Sequence, residues 1–153
     1  MSTPGSAASP VRNDPFVSGN FLVEIEGIAA TSFSEVSGLD TSIEVVDYRS
    51  GDAKLYTEQK LPGLRKYTNI VLKRGFTRDT SLWNWYSAIV AGNLVRVSVS
   101  IRLLDQANNP VVAWNVRNAW PCRWAGPVLT AGSSDVAIET VEICHEGFEL
   151  VPQ

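Results

Sequence analysis

The residues with the greatest chemical potential are Cys144 and His145, adjacent in "ICHEG", with Cys122 upstream. A thiol beside an imidazole has the makings of a nucleophile pair, and two thiols plus a histidine approach a zinc ligand set. Neighbours on a strand project to opposite faces, so Cys144 and His145 should not converge on one atom. His145 is the only histidine, and no CxxC or HxxxH spacing supplies a fourth ligand. The expectation is a buried cysteine and a surface histidine at a strand end, with no catalysis, metal or cofactor.

Carboxylate pairs at Glu24/Glu26 and Glu139/Glu142 have acid/base composition, but nothing places either in a pocket, so both read as solvated. "KLPGLRKYTNIVLKRG" (60–75) gathers Lys60, Arg65, Lys66, Lys73 and Arg74, five of the thirteen Lys and Arg residues. A phosphate cradle would need a helix N-terminus after the turn, and a strand follows instead. No GxxxxGK[ST] or GxGxxG fingerprint occurs. Lys73 and Arg74 alternate across two faces, so the default is solvated charge, and the sharper reading is contact with acids on another copy. Five tryptophans could stack bases or sugars. Trp83 and Trp85 on a helix and Trp114, Trp120 and Trp124 fit a core and helix–sheet contact better.

The chain that must position these groups has 153 residues, the size of one domain. Hydrophobic residues are 44%, charged residues 19% and net charge −3, which argues for a folded protein and against a dedicated nucleic-acid binder. Two cysteines are too few for a secreted disulfide framework, and a reducing compartment is expected. Residues 1–13, rich in Ser, Ala, Pro and Gly, read as a flexible arm ahead of one domain over 14–153. They lack the apolar core of a secretory signal, and no apolar run reaches membrane-spanning length.

Alternation predicts strands at "FLVEIEG", "SIEVVDYR" (42–49), "KYTNIVLKRG" (66–75), "VRVSVSIRLLD" (95–105), "VVAWNVRNAW" (111–120) and within 134–151. A turn is expected at Gly38, another at Pro62-Gly63, and broken pairing at "WPCRWAGP" (120–127). Residues 50–63 read as a long loop, of the kind that tends to be functional. Asp79 or Thr80 caps one helix, striped by Leu82, Trp85, Tyr86 and Ile89 and stopped at Gly92. The sum is six or seven strands and one helix: a mainly β, antiparallel sandwich or barrel with one flanking α-helix.

"DPFVSGNFLVEIEGI", "FSEVSGLD", "KLPGLRKYTNIVLKRG", "LWNWY", "VSIRLLDQANNPVVAWNVRNAWPCRW" and "VAIETVEICHEGFE", in that order over residues 14–150, resemble the tail tube protein of contractile phage tails and phage-like contractile injection systems. The resemblance implies a non-enzymatic, ring-forming β-barrel subunit. Six copies make a ring, rings stack into a hollow tube, and a contracting sheath drives the tube through a target envelope. Further partners implied are the baseplate or hub, tube-terminating proteins and a lumenal cargo of effector protein or DNA. Assembly in the bacterial cytoplasm and release in a particle follow from the same resemblance. No sequence-specific nucleic acid and no integral membrane segment are expected.

Edge pairing between copies also answers the liability of open sheet edges. The segment 47–62 matches the family's extended inter-subunit loop, with Asp47, Asp52 and Glu58 balanced by Arg49, Lys54 and Lys60. The N-terminal arm is a second candidate for contact between rings. Alternation nominates Glu44, Asn69, Lys73, Asn115, Arg117, Thr140 and Glu142 as lumen-facing, or Arg96, Ser98, Ser100 and Arg102 in their place. The leading reading is the tube of an extracellular injection system. The others are the tube of a contractile phage, that of a cell-anchored secretion system, and a carbohydrate- or nucleic-acid-binding β-module.

Overall fold

The computed structural model describes residues 14–29, 32–49, 51 and 58–153. Nine strands and one helix are present among them: β1 Phe21–Ile25, β2 Glu35–Ser37, β3 Thr41–Tyr48, β4 Gln59–Tyr67, β5 Ile70–Gly75, α1 Ser81–Val90, β6 Val97–Leu104, β7 Pro110–Ala125, β8 Ile138–Cys144 and β9 Phe148–Pro152. Every pairing is antiparallel. The mainly β architecture with one flanking helix is as the sequence indicated, with more strands than six or seven.

The strands follow the order β1-β6-β7-β8-β5-β2, with β9 also on β7. β7 is the pivot. Its first half pairs with β6 and β9, and its second half pairs with β8. One 16-residue strand therefore belongs to two sheets: β1-β6-β7-β9, sheet one, and β7-β8-β5-β2, sheet two. The sequence-based break at 120–127 is corrected here. Pro121 sits inside β7, buried, at a register shift between Pro121 and Arg123. Lacking an N–H, proline is tolerated in a ladder where a bulge relieves the missing bond. The expected run 134–151 is likewise two strands, β8 and β9, separated by residues 145–147.

Alternation sends one face of each sheet inward. Val23 and Ile25 of β1, Val99 and Ile101 of β6 and Val116 of β7 meet Ile70 and Leu72 of β5 and Val141 and Ile143 of β8, all 6% exposed or less. Leu82 adds the helix to this cluster, with Trp85, Trp114 and Trp124 packed around it. Trp83 is half-exposed but meets Trp124 edge-on at 4.9 Å. Trp83 and Trp124 thus join helix to sheet, while Trp85 and Trp114 pack on the core. Asp79 Oδ1 accepts from the Ser81 N–H at 3.0 Å, and Gly92, at φ +95°, closes the helix as expected.

Two charges expected in water are in this core. Arg74 is 3% exposed and Glu139 1%, and Arg74 Nε donates to Glu139 Oε1. The other guanidinium nitrogens reach Asp79 Oδ2 at 3.2 Å and its carbonyl at 2.9 Å, while Trp124 Nε1 donates to Glu139 Oε2 at 3.1 Å. The solvated readings of Arg74 and Glu139 are therefore wrong. Alternation puts Arg74 on the same face as Ile70 and Leu72, and burial is tolerated because its donors have acceptors.

β3 and β4 form a separate two-stranded sheet. The sequence-based strand 66–75 is split between β4 and β5 at Thr68-Asn69, and Pro62-Gly63 is no turn. Pro62 lies within β4 opposite Val45, beside a register shift between Ile43 and Val45. The loop expected over 50–63 is shorter by the residues that β4 takes from Gln59 onward.

Candidate assembly surface

The β3-β4 pair continues the β2-β5 pair in register. Glu35 faces Lys73 and Ser37 faces Val71; beyond the join, Thr41 faces Tyr67 and Ile43 faces Arg65 at the same offset. The Thr68 N–H bonds the Asp40 carbonyl at 3.2 Å between the two sections. One bent ribbon thus starts in sheet two and runs out of the subunit. Its bend is fixed at Gly38, φ +88°, where an added Cβ would stand 2.1 Å from the Asn69 carbonyl oxygen. On the other side of the bend Tyr67 packs edge-on against Phe148 at 5.2 Å and His145 at 5.7 Å. His145 Nε2 lies 2.9 Å from the Thr68 carbonyl, and Nδ1 accepts from the Gly147 N–H at 3.0 Å, so the ring ties the root of the ribbon to the turn between β8 and β9.

Among the described residues nothing covers the ribbon beyond its root. All of β3, and all of β4 except Tyr67, is exposed, including Ile43, Val45, Leu61 and Leu64, the last at 73%. A lone two-stranded hairpin is marginal in water, and these side chains would gain by burial against another surface. Asp47 stands opposite Lys60 within the hairpin, so these two face each other in one chain. Arg49 and Glu58 flank the loop, exposed; Asp52 and Lys54 lie outside the described residues, as does the arm 1–13.

The nominated lumen residues fall into three places. Lys73 faces Thr140 and Val71 faces Glu142, Asn69 Nδ2 donates to Glu142 Oε1 at 3.0 Å, and Arg123 is opposite Glu142. Asn69, Lys73, Thr140 and Glu142 are thus neighbours on the outer face of sheet two. Lys73 pairs with Glu35 at 3.1 Å. Asn115 and Arg117 belong to sheet one, whose outer face also carries Ser98, Ser100 and Arg102 and frames an open groove of about 750 Å³. Glu24 there pairs with Arg102 at 3.1 Å, and Glu26 accepts from the Ser98 N–H at 3.0 Å. Glu44 stands alone on the ribbon, at its register shift.

Cys122 and Cys144 are both half-buried and free. Burial pushes both thiols above the usual range, Cys144 to about 11 with Cys122 beside it contributing. Such thiols stay protonated at neutral pH and are poor nucleophiles. Among the described residues no group of three His, Cys, Asp or Glu side chains could hold a metal ion, and no helix is long and apolar enough to cross a membrane. The basic segment is largely accounted for within the chain. Lys60 faces Asp47, Lys73 meets Glu35, Arg74 is buried, and Arg65 donates to the Tyr67 hydroxyl at 3.2 Å, holding that phenol below its usual pKa. What sequence reasoning missed was Arg74 and Glu139; the signal was their alternation with Leu72 and Val141.

A β-sandwich that extends part of one sheet outside its own core as an exposed ribbon has the build of an assembly subunit. The comparisons identify which kind. The family model of the T4-like virus tail tube protein gp19 matches residues 17–149. The chain belongs to that family.

Among solved structures, a chain of the PVC extracellular contractile injection system sheath–tube complex, in the extended state, is 29% identical. The match covers 92% of this chain and 94% of that one, with a TM-score of 0.82. A chain from the cap structure of the anti-feeding prophage is 25% identical over 99% of this chain and 100% of that one, TM-score 0.84. Hcp1 from Flavobacterium johnsoniae shares the fold at 13% identity and TM-score 0.54, over 87% of this chain and 95% of that one. No curated protein matches in sequence.

Proposed function

We propose that the chain is the inner-tube subunit of an extracellular contractile injection system. Six copies close a ring, rings stack into a hollow tube, and sheath contraction drives the tube through a target envelope with its cargo. The observation that carries this reading is the uncovered ribbon, continuous in register with sheet two. A strand pair that already extends a sheet beyond its subunit is the natural element to join the next subunit's sheet and close its edges. Similarity to chains from sheath–tube, baseplate and cap structures supports sheath, baseplate and terminator as partners. The role is structural rather than enzymatic, with no cofactor.

Continuity also favours one lumen face. If sheet two is the sheet that runs from copy to copy, its outer face lines the channel. Asn69, Lys73, Thr140 and Glu142 then face cargo, with Arg123 and Glu35 beside them and Glu44 further along the ribbon. Asn115 and Arg117, on sheet one, then lie outside the channel. The ribbon tip, with Asp47, Arg49, Glu58 and Lys60, meets the neighbouring subunit or ring, and the charges of Asp52 and Lys54, between Arg49 and Glu58 in sequence, are assigned to the same contact. Assembly in the bacterial cytoplasm precedes release in the particle.

Negative-stain microscopy of the purified full chain is the direct test. Rings or tubes are expected, and a species that stays monomeric even with a baseplate nucleator would count decisively against the reading. The family match favours one alternative, the tube of a contractile phage conducting DNA; a capsid and DNA in the native particle would establish it.

A further inference from the structure

Cys122 and Cys144 lie on adjacent strands where the β7-β8 ladder is weakest. Pro121 has no N–H to give, and the register shifts there, so Cys122 falls between the positions opposite Ile143 and Glu142. The Cys122 thiol already bonds across to the Glu142 carbonyl at 3.4 Å, and Asn69 Nδ2 lies 3.7 Å from its sulfur. Alternation along β8 places Cys144 on the same face as Glu142, whose carbonyl the Cys122 thiol already reaches from the neighbouring strand. They bracket the loop 126–137, which carries the exposed apolar residues Val128, Leu129 and Val136.

We propose that Cys122 and Cys144 are a cross-strand modification site that closes to an intrachain disulfide under oxidising conditions, stapling the bulge of β7 to β8. The bond requires the sulfurs to close to about 2.0 Å. A bulge, with its ladder already interrupted, is the part of a strand best able to absorb that movement.

The oxidant is a low-molecular-weight disulfide. One cysteine, as thiolate, attacks it and expels one thiolate, which takes up the proton that cysteine lost. The second cysteine attacks the mixed disulfide at the protein sulfur, expelling the second small thiol and likewise losing a proton to it. Two electrons pass from the protein to the small disulfide, and both protein sulfurs end bonded to each other. Because burial holds both thiols protonated, closure is slow at neutral pH and accelerates in alkali. Formation of the bond is independent of the tube reading. Its use rests on that reading: a tube assembled in a reducing cytoplasm would gain a staple on release.

The test takes the reduced full chain, incubated with oxidised glutathione across neutral to alkaline pH, with intact mass and thermal melting as readouts. Loss of two hydrogens, no retained glutathione, and a melting point raised by several degrees are expected. Cys122→Ser and Cys144→Ser should each stop at one bound glutathione and show no such rise. Glutathione retained on the parent chain, disulfide-linked dimers, or closure that leaves the melting point unchanged or lower would each overturn the proposal. Tube formation, scored separately by microscopy, keeps failure of the staple distinct from failure of the tube reading.

Discussion

Arg74 is held in the core by Glu139, itself bonded by Trp124, and by both the side chain and the carbonyl of Asp79. Breaking such a pair is costly mainly because of the charge left behind. Glu139→Ala should lower stability by about 3–5 kcal/mol in urea unfolding. Replacing both partners by apolar residues, Arg74→Met with Glu139→Leu, should recover most of that loss. An equal loss in the double variant would mean that the pair itself supplies the stability. Asp79 gives a pH prediction. Its carboxylate is held below the usual range first by the Ser81 backbone N–H, and then by Arg74. A depressed folded value means stability that is present above the unfolded value and lost as pH falls through the folded one. Asp79→Asn should therefore melt below the parent at neutral pH, and the gap should narrow as the buffer is taken to about pH 3. A gap that is constant with pH would remove the charge from the account.

The ribbon carries the element-scale predictions. Its bend depends on a left-handed residue at Gly38 with the Asn69 carbonyl against it. Gly38→Ala must both adopt a strained φ and push a backbone away, so a loss above about 1 kcal/mol is expected in chemical denaturation. Leu64, by contrast, touches little within the subunit. Leu64→Asp should leave the melting curve of the monomer within about 0.5 kcal/mol of the parent yet abolish rings in microscopy. Unchanged assembly would show that the ribbon is not the contact. Shortening the segment 50–57 spares β4, which begins at Gln59, and should likewise block stacking without unfolding the domain.

For the whole molecule, the lumen assignment can be checked by reach. In a background with Cys122 and Cys144 replaced by serine, Thr140→Cys should react with a bulky maleimide in the free subunit. In the assembled tube it should react with small reagents only, because the bulky one cannot enter the channel. Full labelling of intact tubes by the bulky reagent would put the outer face of sheet two on the outside. The binding-module alternative predicts exposed tryptophans that quench with sugar or nucleic acid. Trp85, Trp114 and Trp124 packed around the core argue instead for a blue-shifted emission indifferent to such ligands.

Local pattern determined much of this protein on its own. Period-two alternation is a property of the strand itself, so Val23, Ile25, Val99, Ile101, Ile70 and Leu72 could be assigned to the core before any partner was known. The helix and its stop at Gly92 follow from equally local chemistry. Three features were decided only by the tertiary structure. Pro121 looked like the end of a strand because proline removes a ladder bond; whether a bulge compensates depends on β8, which is remote in sequence. Arg74 and Glu139 looked solvated because charges usually are; their burial depends on four groups from β5, β7, β8 and the turn before α1 meeting in one place. Asn115 and Glu142 looked equivalent as polar residues on alternating strands, but the fold puts them on different sheets, since β7 changes partners midway. Sequence specifies which side of a strand is wet. Only packing specifies what lies across from that side, because that is set by contacts between residues far apart in the chain.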